Sequence, residues 1–146
     1  MSQIQTAFIE KSRVPDRAKL EEAIRTLGFD LTLPESYRPF GPSCFLPCVL
    51  NGKKSGFEIL FESPDYTLEH APRLKDVIGR RNCAISFRWN GDTAEDACVL
   101  IVSAALAKSF DAVIYYEDGN LLYSVEELLD EVKAIMPAEK PWWKLW

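Results

Sequence analysis

Histidine is almost missing from this chain: His70 stands alone among 146 residues. Bases are nearly missing from residues 89 to 132, where Lys108 is the only lysine or arginine. G-x-S-x-G, the Walker loop, H-E-x-x-H and G-x-G-x-x-G do not occur. Their absence leaves no signal for a nucleophile elbow, a phosphate-cradling loop, a zinc-binding helix or a dinucleotide turn. A lone histidine could serve as a general base. In TLEHAP, however, it reads as part of a polar turn entering a helix, with a structural or merely exposed role.

Long apolar runs are also lacking. The uncharged run Ala97 to Ala107 spans 11 residues, about half of the roughly 20 that a bilayer crossing requires. The opening MSQIQTAFIEKSR shows no positive segment followed by an apolar stretch, so no secretory signal is expected. A cytoplasmic protein is the resulting expectation. Four cysteines, Cys44, Cys48, Cys83 and Cys98, could form two disulfides, but a reducing compartment favours free thiols. Cys44-x3-Cys48 has no second close pair to complete a tetrahedral zinc site. The expectation is small buried hydrophobes, with no metal and no cofactor.

What is present is an ordinary globular composition, 47% hydrophobic and 27% charged, in a chain of one-domain size. QIQTAFI alternates as a first strand. A helix follows after Pro15, with Leu20, Ala23, Ile24 and Leu27 on one face and Gly28 as its stop. FDLTLP alternates as a half-buried strand. CFLPCVL and SGFEILFE flank Asn51-Gly52, a strong hairpin signal. Pro47 lacks an amide donor and places its strand at an edge or a bulge.

A short helix over Ala71 to Ile78 ends at Gly79, and Cys83 to Trp89 alternates as a strand. From Ala94 to Phe110 nearly every side is apolar or small, which predicts the most buried helix. DAVIYY is the next strand. Ser124 and Glu127 then open a last helix as S-x-x-E, with Val125, Leu128, Leu129, Val132, Ile135 and Met136 as its stripe. The order is β-α-β-β-β-α-β-α-β-α: one α+β domain over residues 1–137, a mostly antiparallel sheet with helices packed on one face. The other face would present Asp30, Thr32, Glu58, Glu62, Ser86 and Arg88.

Charge is unevenly spread. Residues 1 to 88 are net +2, residues 89 to 132 hold ten acids against Lys108, and the last 14 residues are net +2. The acids fit solvated helix faces and first turns, where the helix dipole favours carboxylates. They also fit an acidic surface that steers a basic partner, with Glu117, Asp118, Glu126 and Asp130 as its contact residues. Direct nucleic-acid binding is not expected, because only Lys53-Lys54 and Arg80-Arg81 pair basic side chains. Asp92, Glu95 and Asp96 could hold a divalent cation in a small hydrolase, yet helix capping accounts for Asp92 and Glu95.

In size, acidity and α/β form, and in the strand-helix-strand stretch NCAISFRWNGDTAEDACVLIVSAALAKSFDAVIYYEDGNLLYS, the chain resembles immunity proteins of bacterial toxin–immunity pairs. The resemblance implies stoichiometric, non-catalytic inhibition of a cognate toxin, often by plugging a basic site with acidic side chains. It supplies no site motif. The tail, residues 138–146, concentrates Trp142, Trp143 and Trp146. It fits docking on its own domain or a homodimer partner, recruitment of another protein by an adaptor, or marginal contact with a membrane surface without stable insertion.

Overall fold

The computed structural model describes residues 2–136. Seven strands form one antiparallel sheet: β1 (Gln3–Ile9), β2 (Leu31–Thr32), β3 (Cys44–Leu50), β4 (Lys53–Glu62), β5 (Cys83–Trp89), β6 (Val113–Tyr116) and β7 (Leu121–Tyr123). Their order across the sheet is β2-β3-β4-β5-β1-β6-β7. The helices are α1 (Arg17–Thr26), α2 (Asp65–His70), α3 (Lys75–Ile78), α4 (Thr93–Phe110) and α5 (Val125–Ile135). This is the expected α+β fold with an antiparallel sheet. The helices do not all share one face, since α2 and α3 pack on the other. The elements differ in two further ways. The helix expected over Ala71 to Ile78 is a 3-10 turn at Pro72–Leu74 followed by the short α3, and an unexpected α2 precedes it. The chain after β6 turns back at Asn120, which has positive φ, to add the short β7.

Local chemistry explains the boundaries. Asn51 and Gly52 both take positive φ (51° and 80°), the backbone a two-residue hairpin needs. Pro47 lies where β3 has no outer neighbour, since β2 pairs only with Val49 and Leu50. Asp16 caps α1 by accepting from the Lys19 amide at 2.8 Å. Asp92 caps α4, accepting from the Ala94 and Glu95 amides at 2.8 and 3.2 Å. Ser124 and Glu127 form the reciprocal capping box of α5.

The main core lies between one face of the sheet and the layer of α1, α4 and α5. Ten consecutive residues of α4, Ala97 to Leu106, are buried, because this helix is covered by the sheet on one side and by its two neighbours on the others. Cys48, Cys83 and Cys98 are buried and all four cysteines are free thiols. Burial pushes the Cys48 thiol up to about 12 and the Cys98 thiol to about 11, so both stay protonated and behave as small apolar groups. Among the described residues no helix is long and apolar enough to cross a membrane.

On the opposite face a smaller cluster forms where Leu74 and Ile78 cover Phe8, Ala84 and Tyr115. The α2–α3 segment is short and covers only that part. Among the described residues no helical layer covers the rest of this face, and it positions the candidate site.

Candidate functional site

Alternation along four neighbouring strands builds the open area. Register aligns Leu60 with Ser86 and Ser86 with Thr6, and beside that row it aligns Glu58 with Arg88 and Arg88 with Ile4. The Glu117 amide, just past β6, donates to the Ile4 carbonyl at 3.1 Å, which extends the second row. Ile4, Leu60, Glu62, Ser63, Tyr66, Ser86, Arg88 and Glu117 enclose a concavity of about 570 Å³. Helix α2 supplies one wall: Tyr66 and His70 sit one turn apart with ring centroids 4.8 Å apart, and the His70 Nδ1 is 2.9 Å from the Tyr66 carbonyl oxygen.

Two half-buried carboxylates, Glu62 and Glu117, border the concavity. Burial raises the pKa of Glu62. Burial is also the largest cause of the upward shift at Glu117, reinforced by the negative charges of Glu62 and Asp118 and opposed by the Thr6 hydroxyl and by His70. The Thr6 hydroxyl lies 3.5 Å from Glu117 Oε2 and 3.2 Å from Ser86 Oγ. Among the described residues neither Glu62 nor Glu117 has a cation within ion-pair distance. Beside these groups Leu60 on β4 and Tyr66 on α2 present apolar side chains to solvent, and farther along the sheet so do Phe45 and Val49 on β3.

The structure separates the residues singled out in the sequence. Glu117 lies on the open face. Asp118 is beside it, where its Oδ2 accepts from the Ile4 amide at 2.9 Å. Glu126 and Asp130 are exposed on α5, one turn apart, in the helical layer on the other side of the sheet. Trp142, Trp143 and Trp146 lie outside the described residues. The three acids weighed as a cation site each have a local partner. Asp92 caps α4, Glu95 accepts from the Asn90 amide at 3.2 Å, and Asp96 accepts from the Trp89 indole. Among the described residues no cluster of three metal-ligating side chains occurs.

Glu62, Ser86 and Arg88 were legible as part of a polar sheet face, but not as a site. Thr6 and Tyr66 carried no signal, because only the pairing of β1 with β5 and the fold of α2 bring them there. The class defined by these features is an α+β domain with a partly uncovered, carboxylate-bearing sheet face. No known protein family, no curated protein and no solved structure matches the chain.

Proposed function

We propose that this is a non-catalytic binding protein that receives a basic protein partner on the uncovered face of its sheet. The observation that carries the reading is the Glu62–Glu117 pair, half-buried and with both pKa values raised. Carboxylates held partly out of water without a counter-ion are disfavoured in their charged form. An incoming ammonium or guanidinium would reverse that penalty by pairing with them. Leu60 and Tyr66 supply apolar contact beside the charges, and aromatic and aliphatic side chains of this kind are frequent anchors of protein interfaces. Arg88 disfavours a cation placed over β5, which favours one register of the partner.

Stoichiometric neutralisation of a toxin is the biological form we propose, since the partner's basic site would be covered by an acidic surface. Glu126 and Asp130, in the other layer, then contribute to steering rather than contact. The alternative of an adaptor acting through the tryptophan tail rests on residues outside those described.

Affinity capture from the native host, followed by binding measurements on the recovered protein, tests the reading. The parent is expected to retain a basic protein, and the Glu62→Gln/Glu117→Gln variant to bind it at least about tenfold more weakly. Equal affinity of parent and variant would refute docking on this face. A neighbouring gene for a toxin domain would support the neutralisation form.

A further inference from the structure

Three aromatic side chains stand side by side on the helical face of the sheet: Trp89 of β5, Tyr116 of β6 and Tyr123 of β7. Gln3 of β1 pairs with Trp89, and its side-chain carbonyl accepts from the Tyr116 hydroxyl at 3.1 Å. It therefore bridges the first two rings. The Trp89 and Tyr116 ring centroids are 6.5 Å apart at 38°, and those of Tyr116 and Tyr123 are 6.3 Å apart at 46°. The rings are tilted against one another rather than stacked. Asp96 and Leu100 of α4 and Glu131 and Ile135 of α5 complete a cavity of about 160 Å³. We propose that this cavity binds the trimethylammonium group of a ligand.

Size and spacing fit that group. A cavity of roughly 150 Å³ holds benzene, and a trimethylammonium head has similar bulk. A cation within about 6 Å of a ring centroid is attracted by the negative face of the ring. At the observed separations one cation can stand within that distance of Tyr116 and of either neighbouring ring.

Charge fits it as well. Asp96 is half-buried and Glu131 exposed, and among the described residues neither forms an ion pair. No lysine or arginine is among the described residues that line the cavity. Burial, more than any other cause, raises the pKa of the Tyr116 and Tyr123 phenols. The charges of Asp118, Asp96 and Glu131 add to it at Tyr116, and those of Glu131 and Glu127 at Tyr123. Both rings thus stay neutral at neutral pH, in a field that favours a cation. One Asp96 oxygen already accepts from the Trp89 indole. A primary ammonium is strongly hydrated and needs several acceptors to replace its water. A quaternary ammonium has no N–H to satisfy and suits aromatic faces.

This site lies on the helical side of the sheet, across from the Glu62–Glu117 concavity, and does not rest on the partner proposed there. Failure of either proposal leaves the other standing.

Calorimetric titration of the full chain with choline tests the proposal, beside the neutral isostere in which a tert-butyl group replaces trimethylammonium. Saturable binding of choline is expected, at least about tenfold tighter than that of the isostere. Tyr123→Phe keeps the ring and should hold choline affinity within about twofold, whereas Tyr123→Leu should weaken it about fivefold or more. Glu131→Gln, at an exposed position, should weaken it about threefold at low salt. Capped trimethyl-lysine is the second probe, and the tighter of the two tells a free small molecule from a methylated protein side chain. No saturable binding of either probe, or equal affinity for choline and its isostere, would overturn the proposal. So would a Tyr123→Leu variant that binds the preferred probe as tightly as the parent. If that variant fails to fold, the isostere comparison and Glu131→Gln decide.

Discussion

Folding places the Glu117 carboxylate where burial and the Glu62 charge both disfavour its ionised form. An unfolded glutamate titrates near its ordinary value of 4.5, and in the folded protein the group titrates higher. Between those two pH values the folded state holds more protons than the unfolded state. Stability from this group is therefore full below the unfolded value and is lost as pH rises through the folded value. Glu117→Gln should match the parent in acid and melt above it at neutral pH, and Glu62→Gln should behave likewise. Melting curves from pH 4 to 8 check this; identical curves for variant and parent at pH 7 would contradict the assigned strain. A substitution that stabilises the free protein while weakening partner binding is the behaviour of a functional residue held at a cost in stability.

Gly56 makes the opposite prediction at the same scale. Its φ is 153°, and a Cβ there would sit 2.3 Å from the Leu46 carbonyl oxygen and 2.6 Å from the Phe45 ring. Gly56→Ala should cost about 2 kcal/mol or more, read as a lower denaturant midpoint.

Among the elements, α4 decides whether the domain holds together. All-round apolarity from Ala94 to Phe110 was legible because no polar stripe interrupts it, and the structure buries it on the sheet between α1 and α5. Leu100 is 7% exposed and lines a small cavity with Asp96 and Glu131. An aspartate there would be desolvated and near two carboxylates, so Leu100→Asp should cost several kcal/mol, about enough to unfold a domain of ordinary stability. A soluble variant that melts like the parent would contradict this.

One polar contact ties α4 to β1: the Gln5 side-chain amide donates to Ser103 Oγ at 2.7 Å, with both residues buried. Ser103→Ala should cost about 1–3 kcal/mol by orphaning the Gln5 amide. Gln5→Leu/Ser103→Ala should recover much of that loss in a double-mutant cycle. The α2–α3 segment and β7 were less legible. TLEHAP offers no periodic apolar face, and only Thr67 of α2 is buried. Leu121 and Leu122 are both exposed, so alternation of burial did not mark β7 as a strand.

At the scale of the molecule, the acids of residues 89–132 divide by what they do. Asp92, Glu95, Asp96, Asp111, Asp118 and Glu127 each accept a hydrogen bond or form an ion pair within the domain. Glu117 faces the open concavity, Glu131 borders the small cavity beside Leu100, and Glu126 and Asp130 are exposed in the opposite layer. If the net charge of this stretch steers a basic partner, association should slow by an order of magnitude or more between about 0.05 and 0.5 M salt, while dissociation changes little. Glu126→Lys/Asp130→Lys should lower the association rate and its salt dependence without altering the dissociation rate. Stopped-flow measurements on the captured partner check both, and a salt-independent rate would refute steering.

The sequence by itself determined the elements whose signals are local: the Asn51-Gly52 hairpin, the capped starts of α4 and α5, the nearly all-round apolarity of α4 and the strand character of β1, β4 and β5. These depend on backbone preference and on the period of neighbouring side chains, which a linear reading contains. The tertiary structure alone decided which half of the second sheet face stays open. It also decided that Glu117, Glu62 and Arg88 share one concavity while Glu126 and Asp130 lie in the other layer. Those placements follow from strand order β2-β3-β4-β5-β1-β6-β7, which brings residues more than 50 positions apart into adjacent rows. Pairing at such separations is set by the fit of the whole core, and no local pattern encodes it.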